Sequence, residues 1–445
     1  MTDTQIIRLP EKPKIRIPIT RLPIWPILVM FGGMPLLWVS GGFFLLWPAF
    51  GLVLLLLLVL RRERVELPSG TGVWVVFCGL VALSFTRLSG GGDLLVAGLR
   101  FAFYATAATV FVYIYATLRE GQHWHRIFRP LALFWLGLVV LGWVGVLFPR
   151  LSVVSPLEAA LPDNLAANPF IFDLVHLQAS EFSETSANPI FRPSAPYPYT
   201  NTWGSTWAVL LPCMIAYLLS TRGRVLRVLL LVSLPLSIVP AFLTLNRAMF
   251  LSLGAGLAVL AFRGIARRQI KVIVTVILAA GLGGLTTLFI PVTQLISNRT
   301  SNSDSTVDRL SLYSQALLLA ERSPLLGYGG PVTVDTTTAA APVGTQGQFW
   351  QVLVSHGVPA ALLFVGWFLL VALKLGRAVS AAGQWLATVP VIGLVQLPFY
   401  GVTFQNLSVL CFAAGLAMAA VDGPVRRPVR VFEMALTRRP TQGVL

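Results

Sequence analysis

The hydrophobic pattern of the chain consists of long apolar runs separated by polar segments. Each run has 17 residues or more, close to the roughly 20 residues that a helix needs to cross a bilayer. The pattern therefore predicts an all-α polytopic membrane protein with about twelve transmembrane helices. The runs lie at about 24–40, 42–60, 72–88, 92–118, 128–148, 202–220, 225–245, 247–263, 270–290, 349–373, 383–399 and 402–421.

Two polar segments, 149–201 and 291–348, are much longer than the turns between the other runs. Long loops that the membrane does not require usually carry function, so we expect the functional site on their side of the membrane. The predicted organisation is a basic tail 1–23, helices one to five in 24–148, a first outer loop 149–201, helices six to nine in 202–290, a second outer loop 291–348 with a short amphipathic helix, helices ten to twelve in 349–421, and a basic tail 422–445.

Charge supports this topology. The chain is 56% hydrophobic and only 11% charged, which excludes a soluble protein. Its net charge of +16 invites a nucleic-acid interpretation, but most of the 33 Lys and Arg residues fall in alternate inter-helix segments that include both termini. The positive-inside rule then places both termini in the cytoplasm and the long loops outside, and no nucleic-acid partner is predicted.

Two arginines stand out at the outer ends of apolar runs. Arg100 lies about eight residues below the outer end of the fourth run, roughly 12 Å down at the helical rise, which favours a water-filled cavity or a buried anion. Arg247 follows Asn246 at an outer junction between two runs with almost no turn. An unpaired guanidinium there is costly, so it either has a partner or reaches lipid phosphates.

The second outer loop contains a helix with two chemically useful side chains. Ser305 and Asp308 are spaced as a capping box, and the helical pattern after them stops at Pro324. Arg309 and Tyr313 lie four residues apart and therefore share one face of this helix. The alternative is an amphipathic helix that lies on the membrane with its arginine among the headgroups.

The first outer loop ends in a segment rich in proline and aromatic residues, from Phe191 through Arg192 and Tyr199 to Gly204. Flat, stiff surfaces of this kind suit stacking on sugars, and an interfacial aromatic belt would look the same. Asn201 could contact a ligand or cap the next helix. No two of the four histidines are spaced as metal ligands with an acid beside them, so neither metal nor cofactor is predicted.

Three short motifs, in this order and on one side of the membrane, resemble the O-antigen ligase and O-antigen polymerase superfamily. They are Tyr199-Thr-Asn201-Thr-Trp-Gly204, Thr244-Leu-Asn246-Arg247-Ala248, and Arg309 followed by Pro324-Leu-Leu-Gly327-Tyr328-Gly329. The resemblance covers roughly residues 195–370 and departs from the family twice. Gln346-Gly-Gln348 stands where a histidine motif is frequent, and Ala248 stands where glycine is usual.

The resemblance implies a GT-C-like enzyme of the bacterial cytoplasmic (inner) membrane. Its donor would be a polyprenyl-diphosphate-linked glycan and its acceptor a glycan, lipid or protein, with polysaccharide-assembly proteins open as partners. We expect metal-independent, inverting transfer in which Arg247 and Arg309 stabilise the diphosphate leaving group. Expected substrate contacts are Arg100, Arg192, Tyr199, Asn201, Asn246, Tyr313, Gln346 and Gln348.

Two other functions remain open at this stage. Twelve spans with outer arginines also suit a transporter or flippase for an anionic lipid or solute, although the asymmetric loops do not indicate repeated halves. A catalytically silent scaffold is the third possibility, because the family histidine is replaced. No general base is assigned: Asp304, Asp308 and Glu321 lie nearby in sequence, but solvated or helix-capping roles account for them.

Overall fold

The computed structural model describes residues 21–61, 65–88, 91–166, 168–183, 190–221, 223–289, 305–332, 343–345 and 347–423. This part of the chain is mostly helical and contains no closed sheet, which confirms the predicted helical class. Seven of its helices are long and apolar enough to cross a membrane. The total of about twelve spans and the GT-C-like fold stay predictions.

The helices follow the predicted apolar runs closely, and some runs are divided. Pro235 lies inside the helix that ends before Ser237, and Pro390 lies in the first turn of the helix after Thr388, as expected for a residue without an N–H group. The helices of the apolar region are α1 (Trp25–Ile27), α2 (Met34–Val39), α3 (Leu46–Val59), α4 (Thr71–Ser84), α5 (Gly91–Arg119), α6 (Trp124–Leu147), α10 (Thr200–Ser220), α11 (Arg224–Leu236), α12 (Ile238–Leu243), α13 (Arg247–Ala266), α14 (Ile270–Phe289), α16 (Gln348–Leu375), α17 (Ala381–Leu386), α18 (Val389–Gln396) and α19 (Gln405–Asp422).

The first outer loop folds into short elements at one end of the helical bundle. Strands β1 and β2 pair antiparallel, with Ser152 opposite Gln178, and β3 and β4 pair likewise, with Glu181 opposite Arg192. The elements are β1 (Ser152–Val153), α7 (Pro156–Ala160), α8 (Asp163–Ala166), α9 (Pro169–Val175), β2 (Leu177–Gln178), β3 (Ser180–Ser183) and β4 (Ile190–Pro193). We call this end of the bundle the loop end.

The opposite end of the bundle holds several ion pairs. Arg61 pairs with Glu120, both almost fully buried, and Arg119 pairs with Glu66 at 2.8 Å. Lys374 pairs with Asp422 at 3.0 Å, which joins α16 to the last residue of α19. The basic residues that predict a cytoplasmic surface at this end therefore also connect helices to one another.

Helix α16 is interrupted at Gly357, whose φ of +82° lies outside the helical region. The turn after α15 (Ser305–Arg322) fills the interruption. Tyr328 N–H donates to the Val354 carbonyl at 3.0 Å and Gly329 N–H to the Ser355 carbonyl at 2.7 Å. Because backbone groups inside a bilayer need partners, this inserted turn replaces the hydrogen bonds that the broken helix loses.

The glycines of the third motif allow this close insertion. Gly327 has a φ of +60°, and a Cβ atom built on it would lie 2.3 Å from the Val354 carbonyl oxygen. A Cβ atom on Gly357 would lie 2.5 Å from the Leu325 carbonyl oxygen. The Pro-x-x-Gly-x-Gly motif is thus explained by backbone packing between the second outer loop and α16.

We predict that Gly327→Ala destabilises the protein by about 1–2 kcal/mol from its left-handed backbone alone, with more lost if the Val354 carbonyl moves. The measurement is the thermal unfolding midpoint of the purified protein in detergent. Gly366→Ala is the matched control, because a Cβ atom on Gly366 of α16 would meet nothing within 4 Å. Equal midpoints for the two variants would contradict the proposed packing.

Candidate active site

A cavity of about 480 Å³ opens at the loop end of the bundle, and we call it the central cavity. Its wall combines the first outer loop, α5, the start of α10 and the segments that precede α16 and α19. Lining residues include Arg100, Phe170, Asp173, Tyr199, Asn201, Thr202, Thr345, Gln351, Tyr400, Thr403 and Phe404. The cavity thus brings together three residues expected from the sequence: Arg100, Tyr199 and Asn201.

Arg100 places a positive charge in the cavity wall. It lies nine residues after Gly91, the first residue of α5, which is about 13 Å along the helix. Its guanidinium carbon is 5.9 Å from the centre of the Phe170 ring, within cation–π range. Within the described chain the half-buried side chain makes no hydrogen bond or ion pair, so its N–H groups are available to an anion.

Asp173 faces the same cavity from α9. Its carboxylate accepts a hydrogen bond of 2.5 Å from the Tyr199 hydroxyl. Partial burial and this hydrogen bond raise the pKa of Tyr199, so the phenol stays a neutral donor. One carboxylate oxygen of Asp173 is therefore held by Tyr199 while the other keeps its capacity to accept a proton.

Three helices begin at the central cavity. Asn201 and Thr202 belong to the first turn of α10, Gln351 to the first turn of α16, and Thr403 and Phe404 directly precede α19. The amino ends of helices carry partial positive charge and favour anions. The cavity wall thus combines helix amino ends with the full charge of Arg100.

Two side-chain amides in the cavity wall remain available to a ligand. Asn201 lines the cavity, and its side chain makes no hydrogen bond to the residues that the structure describes. The Gln351 carbonyl oxygen accepts from the Thr403 hydroxyl at 3.2 Å, which leaves its amide N–H groups unused within the same residues. Sequence reasoning missed Gln351, although it lies one turn after Gln348 on the same helix.

Gln348 itself is fully buried directly beneath the cavity. Its oxygen accepts from Val402 N–H at 2.8 Å and from the Thr403 hydroxyl at 2.7 Å, and its nitrogen donates to the Tyr104 hydroxyl at 2.7 Å. Both the oxygen and the nitrogen of the Gln348 side-chain amide are therefore hydrogen-bonded to protein groups. It joins α5, α16 and the segment before α19.

Arg192 is also engaged with protein. It is 4% exposed and donates to Glu181 at 2.9 Å across the β3–β4 pair. The second oxygen of Glu181 accepts from Thr200 N–H at 2.7 Å, at the amino end of α10. Arg192 therefore holds a carboxylate against a helix start and does not line the central cavity.

Asn246 links two helices next to the cavity. Its oxygen caps α13 by accepting from Met249 N–H at 3.1 Å, and its amide nitrogen donates to the Asn201 carbonyl at 3.2 Å. Arg247 follows as the first residue of α13 and is exposed. Arg247 lies outside the cavity wall and makes no hydrogen bond or ion pair with the described parts of the chain.

Tyr313 docks α15 beside the cavity. Its ring stacks on Trp350 with 4.6 Å between ring centres, and its hydroxyl donates to the Pro398 carbonyl at 3.1 Å, next to the lining residue Phe399. Arg309 precedes Tyr313 by one helical turn, but its side chain lies outside the described residues, as does all of Gln346.

A comparison with known families supports the resemblance that the sequence motifs indicate. Residues 231–365 match the family model described as O-Antigen ligase. This segment is similar to an O-antigen ligase domain. The match confirms the resemblance to the O-antigen ligase and polymerase superfamily and indicates a membrane glycosyltransferase of the ligase or polymerase type. No curated protein matches the chain.

The matched segment contains only part of the site. Asn246, Arg247, Tyr313, Gln348 and Gln351 lie within it. The cavity residues of α5 and of the first outer loop, Arg100, Asp173, Tyr199 and Asn201, precede it in the chain. The central cavity therefore forms where the matched domain meets helices and a loop that the family model does not cover.

We predict that Gln348→Leu lowers the thermal unfolding midpoint, because it leaves Val402 N–H without its buried acceptor and the Tyr104 hydroxyl without the amide that donates to it. Each such group costs about 1–3 kcal/mol. Gln351→Leu is the comparison variant, since the Gln351 side chain makes a single hydrogen bond to the described residues, and we expect a smaller decrease. A larger decrease for Gln351→Leu would contradict the structural role of Gln348.

Proposed function

We propose that this protein transfers or polymerises a glycan from a polyprenyl-diphosphate-linked donor to an acceptor hydroxyl at the outer face of the bacterial inner membrane. One observation carries the proposal beyond the family. A half-buried guanidinium, Arg100, lines a cavity at the amino ends of three helices and has no acidic partner among the described residues. Such a site suits an anion that gains charge during the reaction.

The diphosphate leaving group supplies that anion. When the anomeric carbon–oxygen bond breaks, negative charge develops on the bridging phosphate oxygen. The guanidinium group of Arg100 can donate two parallel hydrogen bonds to phosphate oxygens. The amino ends of α16 and α19 add partial positive charge nearby. Arg100 thus takes the principal stabilising role within the cavity.

Arg247 and Arg309 remain proposed as further phosphate contacts. Arg247 is exposed at the start of α13, and Asn246 connects this position to the cavity residue Asn201. Arg309 shares a helical face with Tyr313, which docks next to the cavity. Both arginines would meet the diphosphate where it passes between the cavity and the lipid headgroups.

Asp173 is the proposed general base. It is the one carboxylate among the described residues that line the central cavity. In an inverting reaction, Asp173 removes the proton of the acceptor hydroxyl as that oxygen attacks the anomeric carbon. Tyr199 orients the carboxylate, and the amides of Asn201 and Gln351 hydrogen-bond sugar hydroxyls. This assignment fills the role that the missing family histidine leaves vacant.

We predict that Arg100→Ala, Arg247→Ala and Arg309→Ala each slow release of polyprenyl diphosphate, with the largest effect for Arg100→Ala, about 10²–10³-fold. The assay uses protein in nanodiscs with a polyprenyl-diphosphate oligosaccharide and a glycan acceptor. Arg87→Ala is the control, because Arg87 is exposed in the 3₁₀ turn that follows α4 and does not line the cavity. Wild-type turnover of Arg100→Ala would refute its role, and donor movement without bond cleavage would indicate a flippase.

We predict that Asp173→Asn lowers kcat by about 10²–10⁴-fold, the usual contribution of a general base. Asparagine keeps an oxygen that can accept from the Tyr199 hydroxyl, so the fold around Tyr199 is preserved. Tyr199→Phe is the matched variant. It removes the hydrogen bond between Tyr199 and Asp173 but keeps the Asp173 carboxylate, so kcat should fall much less than in Asp173→Asn. Equal losses in both variants would assign Asp173 a structural role.

A further inference from the structure

The first outer loop contains a second chemical group that the glycan-transfer proposal does not use. The Ser152 hydroxyl lies 2.8 Å from His176 Nε2. On the other side of the ring, His176 Nδ1 lies 3.0 and 3.1 Å from the two carboxylate oxygens of Glu158. Serine, imidazole and carboxylate thus form a continuous chain of hydrogen bonds. Their donor–acceptor distances lie within the range of about 2.6–3.2 Å that activation of a nucleophile requires.

Three different elements bring these residues together. Ser152 lies in β1, Glu158 in α7, and His176 directly follows α9 and precedes β2, the partner of β1. Glu158 is held in place because it also accepts from Ser155 N–H at 3.2 Å in a capping box. The imidazole ring stacks on Phe172 with 4.5 Å between ring centres. The carboxylate and the ring are thereby oriented before any substrate binds.

The three side chains differ in exposure in a way that suits catalysis. The side chains of Glu158 and His176 are only 12% and 14% exposed, whereas Ser152 is exposed. A carboxylate on Nδ1 selects the tautomer whose Nε2 accepts the serine proton. The nucleophilic oxygen is therefore the accessible member of the chain. Ser152 and Glu158 do not line the central cavity, so this group is separate from the glycan site.

We propose that Ser152, His176 and Glu158 form a serine-esterase centre that acts on carboxylic esters with an apolar acyl group. Ser152 Oγ attacks the ester carbonyl carbon while His176 Nε2 takes the hydroxyl proton. The ester carbon–oxygen bond breaks, the alcohol leaves with that proton, and an acyl-Ser152 remains. Water, activated by His176, then hydrolyses the acyl-enzyme and releases the carboxylic acid.

The surroundings of Ser152 indicate the apolar acyl group. Phe172, which stacks on the imidazole ring of His176, is 42% exposed and offers an apolar surface beside the nucleophile. Exposed apolar side chains next to a nucleophile can hold a hydrocarbon chain, and the loop lies at the end of a membrane-spanning bundle. The substrate class is thus an amphiphilic ester that reaches the site from the membrane surface.

The test uses the full chain purified in detergent, a fluorescent fluorophosphonate probe that labels activated serines, and hydrolysis of p-nitrophenyl butyrate. We expect the wild type to be labelled, and Ser152→Ala and His176→Gln to lose labelling and hydrolysis by at least about 100-fold. Ser314→Ala is the control, because Ser314 is an exposed serine that bonds only the Ser311 carbonyl within the described chain. An unlabelled wild type, or equal labelling of Ser152→Ala, would overturn the proposal.

Two further measurements separate chemistry from folding and from glycan transfer. Ser152→Cys places a thiol beside His176, and it should react with iodoacetamide faster than the thiol of the Ser152→Cys/His176→Gln double variant. The native Cys213 and Cys411 are buried and Cys78 is partly buried, which keeps background alkylation low. Ser152→Ala should retain glycan transfer, so failure of the esterase proposal would leave the proposed function unaffected. Equal alkylation rates would contradict activation by His176.

Discussion

The backbone of a membrane-spanning helix can be broken only where another part of the chain supplies the missing hydrogen bonds. At the break in α16, Tyr328 and Gly329 supply them through their N–H groups, and Pro324 accepts in return from Val358 N–H at 2.8 Å. This requirement inserts the second outer loop into the bundle at a defined depth. The helix before this turn, α15, packs on α16 through the stacking of Tyr313 on Trp350 beside the cavity. The inserted turn thus stabilises the helix that contributes Gln351 to the cavity wall.

A second constraint comes from charge. A guanidinium as deep as that of Arg100 is unfavourable in hydrocarbon and is retained where water or an anion reaches it. The cavity meets this condition, since it combines polar amides, a carboxylate and helix amino ends around the cation. By contrast, Arg192 is satisfied by Glu181, and Arg61 by Glu120. Arg192 and Arg61 thus form direct ion pairs, whereas Arg100 forms none with the residues that the structure describes.

The helices could be predicted from the sequence because every apolar run must bond its own backbone in lipid. Gly357 and Pro359 mark a weak point in the apolar run 349–373, but the sequence does not show that a turn about 30 residues earlier in the chain fills the break. Arg100 was identified because a charge within an apolar run is conspicuous. Asp173 was missed because it is one of several acids in a polar loop, and only folding places it against the cavity. Likewise, sequence does not reveal that Gln348 bonds Tyr104 rather than a ligand.

The helix starts around the cavity have a consequence for how such a protein can diverge. Their partial charge belongs to main-chain atoms, so it persists whatever side chains occupy the wall. Under the proposed function, substitution at positions such as Asn201 and Gln351 would alter which sugar fits, while the attraction for phosphate would remain. A protein built in this way could therefore change its sugar specificity during evolution while it keeps its affinity for the diphosphate of the lipid carrier.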